Sequence, residues 1–303
     1  MSENNWTIEH DDNNIAWVHF DSPGASANLL SQVAIKELDN IIKDFEQNLP
    51  RALVILSDKK DSFIFGADIK EFTALENKEQ ALAFMHNGHD LMNRLEALSC
   101  PTVSMIHGLC FGGGTELSLS CNHIVASDDK KTKIGLPESK LVIHHGYGGT
   151  ARSIVRGGPL AAMNIMLTGR ALTARSAKKI NLIDEMVPVR QLKAAAEYFA
   201  LNAPKRKQLP FLTRITNSSL LRPLIAAQMR KQVATKAKAE HYPAPYSLID
   251  LWKKYAGNKK LMLEKEAMAV ADLATTDTAR NLVRVFFLQE NLKSQGKQTD
   301  FDV

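Results

Sequence analysis

The first 190 residues alternate between short apolar runs and longer amphipathic segments. Residues 15–23 (IAWVHFDSP), 51–59 (RALVILSDK) and 102–108 (TVSMIHG) are apolar runs that end in polar residues or glycine, which is typical of buried strands. Residues 31–47 and 78–98 carry apolar side chains at helical spacing, which predicts two long amphipathic helices. This alternation of strands and helices predicts an α/β fold.

Three shorter segments complete this part of the chain. Residues 115–121 (TELSLSC) predict a short helix. Residues 123–138 (HIVASDDKKTKIGLPE) predict a strand, a charged hairpin turn and a returning strand. In residues 63–72 (FIFGADIKEF) a Gly-Ala turn opens a helix, for which Asp68 is the predicted cap or first-turn acid.

After about residue 188 the pattern becomes helical throughout. The predicted helices are QLKAAAEYFALNA and residues 220–240, 247–255, 261–273 and 278–292. Residues 241–247 (HYPAPYS) predict a proline-rich break, and residues 293–303 (KSQGKQTDFDV) predict a loose tail. We therefore divide the chain into an α/β unit, residues 1–190, and a C-terminal helical region, residues 191–303.

Composition indicates an ordinary globular chain, with 45% hydrophobic and 23% charged residues. Cys100, Cys110 and Cys121 are odd in number, form no C-x-x-C motif and lie in or beside apolar runs, which predicts reduced, buried thiols. The polar N-terminus is unlike a secretory signal, and no run approaches the roughly 18 apolar residues of a membrane span. We expect a cytoplasmic protein with no membrane partner.

The net charge of +5 comes largely from two late basic runs, residues 204–208 (PKRKQ) and 229–241 (MRKQVATKAKAEH). Because these runs lack interleaved aromatic side chains and any known binding motif, we expect no nucleic-acid partner. Two interpretations stay open: a solvated helix face, or a surface that attracts an anionic small molecule.

Residues 109–120 (LCFGGGTELSLS) place one carboxylate, Glu116, directly after three glycines. The amides of Gly113 and Gly114 lie at the start of a predicted helix, where the helix dipole favours an anion and glycine permits close approach. Glu116 either complements this dipole or acts in catalysis. Its apolar neighbours favour burial, which is costly for a lone carboxylate.

Two further residues have alternative interpretations. The Ala67 amide either begins an ordinary helix or points into a cleft, where it donates to a developing negative charge. Glu138 is either an exposed loop acid or, if it faces Glu116 across a cleft, the second member of an acid/base pair.

Residues 146–151 (GYGGTA) fit a dinucleotide-binding fingerprint, but this interpretation fails. The segment RGGP interrupts the following helix after about seven residues, and no acid lies about 20 residues further on. His144 and His145 are adjacent, and neighbouring histidines rarely face one metal, so we expect no metal site.

The order of these segments resembles the crotonase (enoyl-CoA hydratase/isomerase) superfamily from about Asn14 to Val189. The segments that carry the resemblance are FIFGADIKEF, PTVSMIHGLCFGGGTELSLSCNHIVAS, IGLPESKLVIHHGYGGTARSIVRGG and LTGRALTARSAKKINLIDEMVP. The stretches SPGASANLL and HYPAPYSLIDLWKKYAGNKKLMLEKEAMAVADLATTDTARNLVRVFFLQE are similar to the hydratase/isomerase part of multifunctional fatty-acid oxidation α-subunits. The resemblance implies a ββα spiral core with a C-terminal helical region, and a 2-enoyl-CoA thioester as substrate.

The resemblance also implies residue roles. Ala67 and Gly113 match the two oxyanion-hole amides, which hold the thioester oxygen as it becomes an enolate. Glu116 matches the glutamate that activates water for attack at Cβ, and Glu138 matches the one that protonates Cα. Glu138 alone, shuttling a proton, would give Δ3–Δ2 isomerisation. Substrate-binding roles fall on Asp68, Lys70, Gly112, Gly146, His144 and His145. No cofactor is implied, since coenzyme A is part of the substrate.

Two departures from the family pattern are present. Glu116 and Glu138 are 22 residues apart, slightly more than usual, with the excess in the predicted hairpin turn. His144 and His145 stand where the family usually has a small or apolar residue followed by proline. We expect these imidazoles to shift the pKa values of the glutamates or to narrow the choice of acyl chain.

Alternative functions also stay open. One is a catalytically weak module whose C-terminal helices dock a partner, and another is hydrolysis or decarboxylation of an acyl-CoA on the same scaffold. The implied partners are a 3-hydroxyacyl-CoA dehydrogenase domain and a thiolase subunit, and a homo-oligomer is also compatible with the resemblance.

Overall fold

The computed structural model describes residues 4–141 and 143–298. Its strands are β1 (Trp6–His10), β2 (Ile15–Phe20), β3 (Ala52–Ser57), β4 (Ser62–Ile64), β5 (Thr102–Ile106), β6 (Leu109–Phe111), β7 (His123–Ser127), β8 (Lys133–Gly135), β9 (Leu172–Thr173) and β10 (Glu185–Val187). A six-stranded sheet has the order β1-β2-β3-β5-β7-β10, and a four-stranded sheet has the order β4-β6-β8-β9.

The helices are α1 (Gln32–Gln47), α2 (Ile69–Thr73), α3 (Lys78–Ala97), α4 (Gly113–Ser120), α5 (Gly149–Gly157), α6 (Pro159–Thr168), α7 (Ala174–Lys179), α8 (Leu192–Asn202), α9 (Phe211–Ile215), α10 (Arg222–Ala234), α11 (Pro243–Tyr255), α12 (Lys259–Ala274) and α13 (Asp277–Gln298). Two single turns of 3-10 helix lie at Glu138–Leu141 and Val189–Gln191. The predicted helices α1, α3 and α4 are present, and Asp68 caps α2 as predicted, since its carboxylate accepts from the Lys70 N–H at 2.9 Å.

The two sheets are built from a repeating unit of two strands and a helix. Each of β3, β5 and β7 lies in the larger sheet and is followed by a strand of the smaller sheet, β4, β6 or β8, and then by helix. Neighbouring strands from successive units pair in parallel within both sheets. This is the predicted ββα spiral.

The hairpin predicted within residues 123–138 is wrong. β7 pairs in parallel with β5 and β10, whereas β8 pairs with β6 and β9 in the other sheet. The charged segment 128–132 therefore carries the chain from one sheet to the other. A hairpin within one sheet and a crossover between two sheets look alike in sequence, because both consist of two strands joined by a short polar segment.

β1 was not predicted, because its pattern shows almost no apolar run. Only Trp6 is buried, and its ring stacks on Phe20 at 3.9 Å, whereas the other four side chains are exposed at the edge of the sheet. An edge strand that buries one residue has no periodic signal.

The C-terminal helical region is confirmed, with two corrections. α10 ends at Ala234 and α11 begins at Pro243, so the break lies at 235–242 rather than 241–247. Proline is tolerated in the first turn of a helix, because the N–H group that it lacks would have no intrahelical acceptor there. The tail predicted to be loose from residue 293 continues α13 to Gln298, and residues 299–303 lie outside the described residues.

The helical region shares its core with the α/β unit. Ala267 and Val270 of α12 belong to the largest buried cluster, together with Met85 of α3. Leu192 and Ala196 of α8 cover the other face of the larger sheet. Packing is thus continuous across the boundary at residue 190, and the division into two domains stays a prediction.

The three cysteines are buried and free, as predicted. Burial raises the pKa of the Cys110 and Cys121 thiols to about 12. Within the described part of the chain, no helix is long and apolar enough to cross a membrane.

Candidate active site

A cavity of about 440 Å³ lies where three successive ββα units meet, at the loops after β4, β6 and β8. Nine of the ten predicted site residues line it: Ala67, Asp68, Lys70, Gly112, Gly113, Glu116, Glu138, His144 and Gly146. The tenth, His145, does not line the cavity. It lies against Glu138, so its predicted contact with substrate stays a prediction.

Two backbone amides flank one position on the cavity wall. Leu30 forms a parallel bridge with Ala67, in which the Leu30 N–H donates to Gly66 O and the Asp68 N–H donates to Leu30 O. This pairing turns the Ala67 N–H away from Leu30, and the Gly113 N–H begins α4. Neither N–H has an acceptor among the described residues. A Cβ added to Gly113 would lie 3.3 Å from the Ala67 nitrogen, so the two donors are close together.

Glycine is required beside these amides for two reasons. Gly112 adopts φ +51° and ψ −125°, a conformation that side chains rarely adopt. A Cβ at Gly112 would also come within 3.0 Å of Glu138 Oε1. The glycine run therefore turns the backbone into α4 and leaves room for the Glu138 carboxyl group.

Glu116 is 2% exposed and is held by a second glycine-rich loop. Its Oε1 atom accepts from the backbone N–H groups of Tyr147 and Gly149, both at 2.8 Å. A Cβ at Gly149 would lie 2.7 Å from the same oxygen. The GYGGTA segment, excluded above as a dinucleotide site, thus binds a carboxyl group of the protein itself. The start of α5 favours an anion for the same electrostatic reason that such loops bind phosphate.

Glu266 of α12 is a third buried carboxyl group at this site, and sequence analysis missed it. It is fully buried and accepts from the backbone N–H groups of Gly148 at 2.7 Å and Thr150 at 3.1 Å. His89 Nε2 lies 3.3 Å from Glu266 Oε1. The pKa of Glu266 is lowered, because the hydrogen bonds and the imidazoles of His89 and His144 outweigh burial.

Glu138 begins the 3-10 turn after β8 and is mostly buried. Its Oε2 atom lies 3.3 Å from Nε2 of His145, which is completely buried. Its Oε1 atom faces Gly112 on the cavity side. The interpretation of Glu138 as an exposed loop acid is therefore wrong.

These groups shift one another's pKa values. The charge of His145 lowers the pKa of Glu116, but larger effects outweigh it. That the two histidines narrow the choice of acyl chain stays a prediction. Burial, together with the carboxylates of Glu138 and Glu266, raises the pKa of Glu116 to about 8. Burial alone would lower the pKa of His145, but the carboxylates, above all Glu138, raise it to about 9. Burial lowers the pKa of His144 to about 4. At neutral pH, Glu116 is mostly protonated, His145 is charged and His144 is neutral.

The remaining wall of the cavity is apolar, and its mouth is basic. Lys70 and the unpredicted Lys140 are exposed where the cavity meets solvent. The apolar lining comes from both the α/β unit and the C-terminal helices: Leu29, Phe65, Phe72, Met85, Phe111, Ile143, Val270, Phe286 and Phe287.

Comparison with known proteins identifies the family of this chain. The family model described as enoyl-CoA hydratase/isomerase matches residues 10–242. The chain belongs to the enoyl-CoA hydratase/isomerase family. It is 36% identical over 300 residues to the fatty acid oxidation complex subunit alpha of Shewanella sp. (strain MR-4), covering 97% of this chain and 42% of that relative. The corresponding subunit of Aliivibrio fischeri is 37% identical over 295 residues, which is 96% of this chain and 42% of that relative. The chain thus spans less than half the length of these curated relatives.

Solved structures show the same crotonase fold. An enoyl-CoA hydratase of Bacillus anthracis superposes with a TM-score of 0.60 at 26% identity, covering 85% of this chain and 91% of that one. An enoyl-CoA hydratase of Bacillus halodurans has a TM-score of 0.67 at 18% identity, with 93% and 100% coverage.

Within this enoyl-CoA hydratase/isomerase fold, sequence analysis missed the site residues that the C-terminal helices contribute. Glu266 lies in MLEKEAMAVADLA, where one of three acids faces inward while its neighbour Glu264 is exposed. The only available signal was its position on the apolar face of α12, three residues after buried Leu263 and one before buried Ala267. Phe286 and Phe287 had no signal beyond helix periodicity.

Proposed function

We propose that this chain is a 2-enoyl-CoA hydratase of fatty-acid oxidation. The observation that carries the proposal is the convergence of four groups on one cavity with apolar walls. Two are the amides of Ala67 and Gly113, which have no acceptor in the described part of the chain, and two are the carboxyl groups of Glu116 and Glu138. Paired N–H donors suit a carbonyl oxygen that gains negative charge, and two carboxyl groups suit the addition of water by a base and an acid.

The proposed reaction uses each group once. The amides bind the thioester oxygen, Glu116 takes a proton from water as the oxygen attacks Cβ, and Glu138 gives a proton to Cα. One oxyanion donor is typically worth about 10²–10³ in rate, and one general acid or base about 10²–10⁴. The chain's own backbone and carboxyl groups supply every step.

The walls and mouth of the cavity support an acyl-CoA substrate. Aromatic and aliphatic side chains would bury the acyl chain at roughly 25 cal/mol per Å² of apolar surface. The exposed cations Lys70 and Lys140 would attract the phosphate groups of coenzyme A.

A second activity, Δ3–Δ2 isomerisation, is favoured by the position of Glu138 beside the amides. Here Glu138 removes a proton from Cα of a 3-enoyl thioester and returns it at Cγ, and Glu116 transfers none. The relatives named above suggest a larger complex, so the dehydrogenase domain, the thiolase subunit and self-association stay predictions, to be tested by co-purification and light scattering.

Hydration of a panel of 2-enoyl-CoA thioesters, followed as loss of conjugated thioester absorbance, tests the proposal. We expect turnover that disappears in the double variant Glu116→Gln/Glu138→Gln. Wild-type turnover no better than that of the double variant would overturn the proposal and favour a catalytically weak docking module. Release of free thiol from the acyl-CoA would instead favour hydrolysis.

A further inference from the structure

The contact between Glu138 and His145 has no role in the hydration scheme above. His145 is 0% exposed, and its Nε2 atom lies 3.3 Å from Glu138 Oε2. Neither ring nitrogen of His145 has a hydrogen-bond partner among the described residues, and Oε2 of Glu138 has none either. The imidazole and this carboxylate oxygen thus face each other within ion-pair distance, with no other polar partner.

The surroundings of His145 favour a positive ring. The negative charges of three carboxyl groups, from three elements, act on it: Glu138 of the 3-10 turn, Glu116 of α4 and Glu266 of α12. Its neighbour His144 directs Nδ1 to the His145 carbonyl and Nε2 towards Ser247, and its low pKa keeps it neutral at neutral pH.

The cations on neighbouring elements are exposed to solvent, whereas the ring is buried. They are Lys70, Lys140 and, on α13, Arg280 and Arg284. The pKa of His145 is accordingly raised to about 9, in spite of its burial.

We propose that His145 is a positioning residue that holds Glu138 as a carboxylate, and thereby favours proton abstraction by Glu138, as in isomerisation, over proton donation by Glu138, as in hydration. This inference rests on the proposed enoyl-CoA chemistry and deepens it. With Oε2 bound to the imidazolium, the Oε1 atom stays directed to the cavity beside Gly112.

Isomerisation begins from the state that His145 stabilises. The Glu138 carboxylate takes a proton from Cα, and the C–H electron pair forms a dienolate whose oxygen the two amides bind. Glu138 then returns the same proton to Cγ, so that the C3=C4 double bond is lost and a C2=C3 double bond is formed. No proton, electron or further reactant is gained or lost.

Hydration begins with the shared proton on the other glutamate. It requires a protonated Glu138 and an ionised Glu116. Both starting states hold one proton between the two glutamates, so their ratio depends on the local field and not directly on pH. The His145 charge, in contact with Glu138, shifts this ratio towards ionised Glu138 and protonated Glu116.

The test compares hydration of a 2-enoyl-CoA with isomerisation of the matching 3-enoyl-CoA in wild type and His145→Gln. Glutamine retains an N–H donor of similar reach but carries no charge. We expect the ratio of hydration to isomerisation kcat to rise by about tenfold, because the positive charge that favours ionised Glu138 is removed. The ratio of two activities measured on one preparation does not change when part of the protein is inactive. The matched control is His123→Gln, which removes a buried histidine outside the cavity and should keep the wild-type ratio.

A second measurement does not depend on activity or on the folding of His145→Gln. Imidazole NMR signals of the wild-type protein should show His145 charged at pH 7.5, and Glu138→Gln should lower its titration midpoint by at least one pH unit. A neutral His145 at pH 7.5, or an unchanged activity ratio in folded His145→Gln, would overturn the inference. If wild type catalyses neither reaction, the proposed function fails instead, whatever the charge of His145.

Discussion

Glu116 and Glu266 bind alternate backbone amides of one glycine-rich loop. Glu116 accepts from residues 147 and 149, and Glu266 accepts from residues 148 and 150. The two carboxyl groups nevertheless differ. Contact with His89 helps to lower the pKa of Glu266, whereas burial and the carboxylates of Glu138 and Glu266 raise the pKa of Glu116 in spite of the charge of His145. One loop therefore holds a structural carboxylate on one side and a titrating carboxyl group on the cavity side.

Replacing each glutamate should separate the two proposed activities. Glu116→Gln removes the base for water, so we expect hydration to fall by about 10²–10⁴ while isomerisation persists. Glu138→Gln should lower both activities by a comparable factor, because Glu138 transfers a proton in each. Steady-state kcat with both substrates measures this, and Glu264→Gln, an exposed change on α12, is the control. Equal loss of both activities in Glu116→Gln would contradict the assignment.

Hydration should be lost under alkaline conditions. The proposed hydration state holds one proton between Glu116 and Glu138, and the pKa of Glu116 is raised to about 8, so hydratase kcat/KM should be level up to about pH 8 and fall above it as this proton is lost. Stopped-flow or steady-state rates between pH 6 and pH 9 measure this profile. A rate that rises steadily from pH 6 to pH 9 would show that hydration does not depend on a proton shared by the two glutamates.

The protein should lose stability as pH rises from about 4.5 to about 9. The folded pKa of Glu116 (about 8) lies above its ordinary value of 4.5, so the folded state binds the proton more tightly and ionisation disfavours folding. The folded pKa of His145 (about 9) lies above 6.5, so its stabilising charge is lost over the upper part of the same range. Thermal unfolding at each pH measures the sum.

Glu116→Gln provides the matched variant for this stability profile. Its side-chain carbonyl can still accept from the amides of Tyr147 and Gly149, and it has no charge to desolvate. We expect a higher unfolding temperature than wild type at pH 8–9, a smaller difference at pH 6 and a flatter profile. A profile parallel to that of wild type would show that Glu116 does not titrate in this window.

Glu266→Gln should destabilise the fold at neutral pH. An amide cannot accept on both sides, so the N–H of Gly148 or Thr150 loses its partner in a fully buried position. The cost of one buried unsatisfied donor is about 1–3 kcal/mol of unfolding free energy, read from urea unfolding. Glu264→Gln on the same helix should change it by less than about 0.5 kcal/mol. A Glu266→Gln protein as stable as this control would exclude the structural role.

Local sequence determined much of this protein. Apolar runs predicted β2, β3, β5 and β7, helical periodicity predicted α1 and α3, and the glycine run before Glu116 predicted a helix start beside a ligand. These features follow from interactions within a few residues, namely burial pattern, capping and glycine backbone freedom. Motif order added the ββα spiral and the pairing of Glu116 with Glu138.

Tertiary structure decided what depends on contacts between distant segments. Only the folded chain shows that segment 128–132 crosses between sheets, that α13 reaches the cavity, and that Glu266, 150 residues after Glu116, shares its loop. The position of His145 also depended on tertiary structure. The sequence indicated an imidazole near the substrate, whereas the fold places the ring against Glu138 and away from the cavity wall. The pKa of a buried group depends on its burial and on charges from several elements at once, so it cannot be predicted from a local sequence pattern.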